Sequence, residues 1–292
     1  MTIGALTARE VDRATLQRWL PCLDAWLLPD AFYSVQHTWP QLYRSDGEGR
    51  FFVVTDGDRL LSHCASRLVT VVGGRGPFAA CLIGSVATDP AHRGQGLAGQ
   101  VLALALQAND PHVRHTLLWA ERPELYARAG FRAGPDETCL VLARRPHPVT
   151  TGVRPMVVAD HAALHALHRQ KRWRVERSAH AMSNVLSTPG MSTFVLERAG
   201  AIVAYACCGK AADLQGHWHE LGGADEDLAQ LLPAALALAG QTEAVLLLPP
   251  WRGRLREHLA RHIVQEATLP GPLHRSLGEP LPGCWIDGLD SV

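Results

Sequence analysis

The chain has 292 residues, of which 47 % are apolar and 19 % charged, and its 28 basic and 28 acidic side chains leave a formal net charge of zero. Such a balance is that of a globular protein of one large or two ordinary domains, with enough apolar material for sizeable cores. A neutral chain carries no electrostatic footprint for nucleic acid or an anionic membrane, so neither is expected as a partner.

Residues 1–10 lack the basic start and apolar core of a signal peptide, and no apolar run reaches the length of a membrane span. Thr7-Ala8-Arg9-Glu10 has the capping-box pattern and predicts a helix running toward Trp19. Residues 51–55 and 60–72 read as two strands around the turn Asp56-Gly57-Asp58. A second turn at 73–77 leads to a strand over 81–88. Residues 96–109 place Leu97, Val101, Leu104 and Ala105 near one helical face. A short strand over 115–120, a helix over 124–129 and a last strand over 138–143 follow. Pro146, Pro148 and Gly152 then mark a linker.

After the linker the order of elements repeats. A strand over 153–157, a helix from Asp160 to Gln170, a hairpin around Ala199-Gly200, a strand over 217–221, a helix over 228–239 and a strand over 244–248 are predicted. Two copies of one mixed αβ unit follow from that order. The expected fold class is α+β, with two tandem domains over 1–148 and 149–292. Each is a mostly antiparallel mixed sheet flanked by helices.

Lysine occurs only as Lys171 and Lys210, which reads as compositional bias. The seven cysteines include no Cys-x-x-Cys spacing and suit free thiols in a reducing cytoplasm. His161, His165 and His168 share a helical face, and His217 and His219 a strand face. With no further Cys/His partner evident, packed faces are favoured over a metal site, and no metal is expected.

The segment Ser85-Val86-Ala87-Thr88-Asp89-Pro90-Ala91-His92-Arg93-Gly94-Gln95-Gly96-Leu97-Ala98 carries the chemistry. A strand ends, a glycine-bearing turn follows and a helix begins. Glycine lets the backbone approach a ligand closely, and the first amides of a helix have no internal partners. The turn therefore suits a pyrophosphate, with Arg93 available for a charge-assisted contact. An ordinary strand-to-helix loop fits the same residues. Antiparallel strands before the turn argue against a parallel dinucleotide-binding sheet, and the absence of a following lysine argues against a nucleotide P-loop.

Arg93-x-x-Gly96-x-Ala98 resembles the acetyl-CoA motif of the GNAT acetyltransferase superfamily, and Leu125-Tyr126-Ala127-Arg128-Ala129-Gly130-Phe131 resembles its Tyr-x-x-x-Gly-Phe motif. The likeness covers about residues 1–145. The repeated unit narrows it to the tandem, enhanced-intracellular-survival type. Those proteins carry a third, sterol-carrier-like domain for which this chain leaves no room, so the role of their C-terminal carboxylate is not transferred to Val292.

The resemblance implies acetyl transfer from acetyl-CoA to a primary amine, with acetyl-CoA as cosubstrate and no metal. Backbone groups of Val86, Ala87 and Thr88 would pair with the pantetheine arm, between strands that splay apart. Arg93, Gly94, Gln95, Gly96, Leu97 and Ala98 would hold the pyrophosphate. Tyr126 would serve as general acid for the leaving thiolate, against the alternative of a half-buried tyrosine on an amphipathic helix. Glu121 is the candidate base, and a solvated loop carboxylate is the equal alternative. Asp24, Trp26, Asp30 and Phe32 would contact a cationic acceptor, though the same residues could pack two short helices. The second copy has three acids, Asp225, Glu226 and Asp227, where the first has its glycine turn, and is expected to lack the cofactor site. A non-catalytic acyl-CoA-binding or regulatory protein is the rival of another class, and homo-oligomerisation stays open.

Overall fold

In a computed structural model of the protein, residues 6–146, 150–279 and 283–292 are described; Pro148 of the expected linker lies outside them. The strands are β1 (Arg9–Val11), β2 (Arg50–Asp56), β3 (Arg59–Gly73), β4 (Gly76–Thr88), β5 (His115–Leu118), β6 (Arg132–Ala133) and β7 (Glu137–Ala143). They continue with β8 (Val153–Pro155), β9 (Arg174–Val175), β10 (Ser192–Arg198), β11 (Ala201–Lys210), β12 (Asp213–Gly223), β13 (Glu243–Leu248), β14 (Ile263–Leu269) and β15 (Leu273–Ser276).

Two mixed sheets result. The first runs β1-β2-β3-β4-β5-β15-β6, with β9 also on β3, and the second runs β14-β7-β13-β12-β11-β10-β8. Among the described residues only β4–β5 and β12–β13 pair in parallel. The two halves thus repeat one mixed architecture, as the order of elements predicts.

The halves also exchange a strand. β15, from the end of the chain, lies between β5 and β6 of the first sheet. β7, from the first half, lies between β13 and β14 of the second. The strand over 138–143 is therefore not the last strand of its own sheet. A cut at residue 148 divides both sheets.

The apolar run Phe51-Phe52-Val53-Val54 is continuous because both faces of β2 are covered. Phe52 and Val54 pack with Leu97, Val101 and Ala105 of the helix Leu97–Asn109. Phe51 and Val53 pack on the other face with Leu16, Trp19, Leu23 and Leu42. Alternation along the strand assigns each residue to its layer.

Local departures from expectation have local causes. Arg9–Val11 is an edge strand on β2 rather than the start of a helix. The helical turn begins at Arg13, where the Asp12 carboxylate accepts the Thr15 amide at 2.7 Å. Residues 124–129 form two 3₁₀ turns, Pro123–Leu125 and Ala127–Ala129, rather than one α-helix. Pro123 starts the first, and Gly130, left-handed at φ 86°, ends the second.

Both lysine side chains of the chain are buried, with partners in the second half. Lys171 Nζ donates to Glu220 at 2.7 Å and to Asp287 at 2.9 Å. Lys210 Nζ donates to the Gly288 and Ser291 carbonyls at 2.9 and 2.6 Å. Arg177, fully buried, forks onto Glu220 at 2.9 and 3.0 Å and also holds Asp290. These contacts fasten residues 287–291 to the second sheet. Compositional bias does not explain where the two lysines sit.

The exchange predicts that a fragment ending at residue 148 will not fold alone, because the edge of β5 and Phe131 lose the cover of Leu273. Expressed by itself the fragment should bind an apolar dye and lack a cooperative melt. Co-expression with 149–292 should restore a soluble one-to-one complex. A fragment that melts cooperatively by itself would show β15 to be dispensable.

Candidate functional site

The pairing of β4 with β5 covers only Ala80 to Leu82 against His115 to Leu117. Beyond Leu82, β4 continues to pair with β3 on its other side, as far as Thr88 opposite Ser62. A gap therefore opens between the end of β4 and the residues after β5. A bulge accompanies it: Ala65 faces Gly84 and His63 faces Ala87, so Ser85 and Val86 together oppose Cys64. Ser85 is left-handed at φ 51°. The His63 ring holds it, with Nδ1 2.8 Å from the Ser85 carbonyl. A carbonyl only accepts, so Nδ1 carries the hydrogen. Burial lowers the His63 pKa to about 4, which keeps the ring neutral.

The turn after β4 is fixed from below. Asp89 accepts the Ala91 amide at 2.9 Å and the Arg59 guanidinium at 2.7 Å. Gly94 and Gly96 follow at φ 79° and 76°, a conformation that would strain any residue with a Cβ. A Cβ on either would meet nothing within 4 Å, so open space lies beside both. Gly96 caps the helix Leu97–Asn109. No protein acceptor among the described residues takes the amides of Gln95, Gly96, Leu97 or Ala98. Arg93 is exposed, within 3.4 Å of the Thr88 carbonyl, and pairs with no carboxylate among the described residues. The nine residues expected to bind cofactor thus fall in two runs, 86–88 along the gap and 93–98 around the turn, joined by 89–92.

A cavity of about 660 Å³ continues from the gap. Gly84, Ser85 and Val86 line one side, and Trp119, Glu121 and Tyr126 another. The second half closes it with Asp213, His219 and Trp285. Four of the eight tryptophans in the chain, Trp26, Trp39, Trp119 and Trp285, line this one space. Tyr126 is half-buried, with its ring edge-on to Phe131 at 6.1 Å. Burial pushes its phenol up to about 12.

The expected substrate residues part company. Trp26 lines the cavity. Asp24 accepts the Val35 amide at 2.7 Å and ties two short helices together. Asp30 is exposed in a left-handed turn, and Phe32 is 92 % exposed; neither reaches the cavity.

Two residues at the site carry no signal in the sequence. Val292 stands against the bulge, where a Cβ on Gly84 would overlap its main-chain carbon and oxygen. No role is expected of Val292 in the sequence reading, and the structure sets the residue in the cavity wall. Glu137, the first residue of β7, also lines the cavity. Burial raises its carboxyl to about 7, opposed by a hydrogen bond with the Trp119 side chain. Its neighbours Pro135 and Asp136 look like any loop, and only the exchange of β7 brings it here.

The remaining clusters are filled by protein. His161, His165 and His168 bond separately to Ser183, the Arg177 carbonyl and the Val175 carbonyl. His168, Glu220 and Asp287 bring one ligand atom each within 4.8 Å of the others, but the Lys171 ammonium already bridges the two carboxylates. In the second half, Asp225 and Asp227 pair with Arg252 and Arg198. Three acids thus crowd the first turn of Asp225–Leu238, where the first half has its open glycine turn. Among the described residues no helix is long and apolar enough to cross a membrane.

Comparison with known proteins bears on the fold that carries this geometry. Residues 7–134 match the family profile described as acetyltransferase (GNAT) domain. A conserved protein from Enterococcus faecalis V583 superposes with a TM-score of 0.74 at 12 % identity, over 94 % of this chain and 73 % of that one. A GCN5-related N-acetyltransferase from Kribbella flavida gives 0.66 at 17 %, covering 93 % and 71 %. Eis1 from Mycobacterium abscessus gives 0.63 at 15 %, covering 92 % and 73 %. No curated protein matches the chain.

The contact at Gly84 is testable. Gly84→Ala should displace Val292, at a cost of about 1–3 kcal/mol for overpacking. Denaturant unfolding should show the loss, and residues 284–292 should become more sensitive to protease. Unchanged stability and protection would mean that the contact has slack.

Proposed function

With residues 7–134 matching the profile of a GNAT acetyltransferase domain, we propose that the protein is an N-acetyltransferase that moves an acetyl group from acetyl-CoA to the primary amine of a small molecule. The observation that carries this reading is the set of unpaired amides at 95–98, opening beside the gap between β4 and β5. Diphosphate oxygens complement those amides and the positive end of the helix. Arg93 adds a cation. The pantetheine arm lies along Val86, Ala87 and Thr88 as an added strand would. Its thioester then faces the cavity.

The acceptor enters from the side of the tryptophans. Indole faces and the carboxylates Glu121, Glu137 and Asp213 favour a cationic amine over a neutral or anionic one. The amine attacks the thioester carbonyl directly within a ternary complex, and a backbone N–H near Val86 polarises that carbonyl. Tyr126 serves the leaving thiolate. Its phenol, at about 12, keeps its hydrogen at neutral pH. A thiol titrates near about 8.5, so a hydrogen bond to the thiolate is favoured over full transfer. Glu121 is within the cavity wall but exposed to solvent. The second half, without an open glycine turn, completes the acceptor end of the cavity.

Two substitutions separate binding from chemistry. Gly96→Asp introduces both a strained Cβ and a charge next to the diphosphate, and should weaken CoA binding by tenfold or more, about 1.4 kcal/mol. An unchanged dissociation constant by calorimetry would remove the turn from the cofactor site. Tyr126→Phe should lower kcat roughly 10²-fold at unaltered CoA affinity. Equal turnover at saturating substrate would remove the phenol from the reaction. Thiol release with a panel of amines tests the activity itself. Tight CoA binding without release from any amine would make the protein an acyl-CoA binder.

A further inference from the structure

We propose that Glu137 is the base that takes the proton from the attacking amine. The inference rests on the acetyl-transfer reading above and names a group for its proton.

The carboxylates of this protein are handled in two ways. Among the described residues the five buried ones each have a cation: Asp89 has Arg59, Asp160 has Arg154, Glu220 has Arg177, Asp287 has Lys171 and Asp290 has Arg177. This is what desolvation requires of a carboxylate whose role is structural. Glu137 is half-buried in the cavity wall and pairs with no cation among the described residues. Trp119, just after the strand that borders the gap, lines the same cavity and lowers the carboxyl's titration only against the larger effect of burial. A carboxylate drawn out of water and left without a counter-ion, facing an empty cavity, is suited to receive a positive charge or a proton from what enters there.

The groups around it leave that character intact. Arg122 lies on the loop after β5 beside Glu121, and Tyr126 follows. β12 contributes Asp213 and His219 across the cavity, burial lowers the His219 pKa to about 4, so that its ring is neutral, and Val292 lines the same cavity with its main-chain oxygen against Gly84. Cys139, two residues along β7, is a thiol pushed up by burial and by Glu137 itself. Burial is the leading cause of the Glu137 shift, and no charged group contributes to it. A base titrating close to ambient pH is both present in its ionised form and basic enough to accept the proton.

The step balances as follows. The acceptor, bound as a cation, first gives one proton to the Glu137 carboxylate, which releases it to the water of the open cavity; the amine lone pair so freed forms the C–N bond at the thioester carbonyl, and the C–S bond breaks with its electron pair leaving on sulfur. The sulfur accepts a hydrogen bond from Tyr126. The N–H becomes acidic as the C–N bond forms, and its proton passes to the Glu137 carboxylate and from there to the water of the open cavity.

The test uses the full-length protein with acetyl-CoA and an amine that the parent acetylates. Because the base works ionised, parent kcat/KM should fall as pH drops through about 7. Glu137→Gln keeps the shape and an acceptor for Trp119; it should lower kcat roughly 10²-fold or more and abolish that limb, with CoA affinity unchanged. Glu137→Asp should retain the limb at reduced rate, which a merely structural side chain would not do, and it stands in should the glutamine variant fail to fold. The limb should persist in Glu121→Gln. A full rate and an intact limb in Glu137→Gln, or loss of the limb in Glu121→Gln alone, would overturn the proposal. Turnover of the parent with CoA-dependent thiol release, but with a pH profile flat across neutrality, would overturn it while leaving the acetyl-transfer reading in place. Absence of any turnover in the parent would overturn both.

Discussion

The site depends on one interruption of hydrogen bonding: β4 and β5 stop pairing after Leu82 and Leu117. An open strand edge inside a protein is costly unless something pairs with it. Here the bulge at Ser85 turns the strand, and buried His63 fixes the bulged carbonyl. The same strand then delivers the chain to the glycine turn, whose amides have no protein acceptor among the described residues and whose glycines border open space. Gap and turn are consecutive along one chain segment. A ligand with a diphosphate at one end and an amide-bearing arm at the other could satisfy both together.

The cavity beyond the gap depends on how the halves are joined. Each sheet receives a strand from the other half, so neither can shift without breaking ladders in both. The charged cluster around Arg177, Glu220 and Lys171 ties residues 287–290 to the second sheet. Buried ion pairs contribute little net stability, because desolvation offsets their attraction, but a mispaired arrangement would leave a bare charge inside. The cluster therefore favours one placement of residues 287–291, and that placement sets Val292 against Gly84.

Two carboxylates of the cavity illustrate how environment separates chemically identical groups. Glu121 sits on an exposed loop. Glu137 sits at the root of an exchanged strand, with burial and one indole hydrogen bond deciding its titration. Residue type alone offers no distinction between them, and neither does position in the sequence, since both follow short apolar or loop segments.

The sequence by itself determined what is local. The hairpin at Asp56-Gly57-Asp58, the glycine turn before Leu97 and the repeated order of elements all rest on short-range signals, namely turn chemistry, periodicity and helix capping. Even there it was ambiguous where two local signals compete, as at Arg9, where edge pairing with Val53 prevails over a capping pattern. Only the tertiary structure decided which sheet receives the strand Glu137–Ala143, why the two lysines are buried, and that Glu137 and Val292 line the cavity while Phe32 does not. The reason is physical: strand partners and buried charge pairs are chosen among segments 43 to more than a hundred residues apart, by which faces can be covered and which charges neutralised, and no short window of sequence contains both partners.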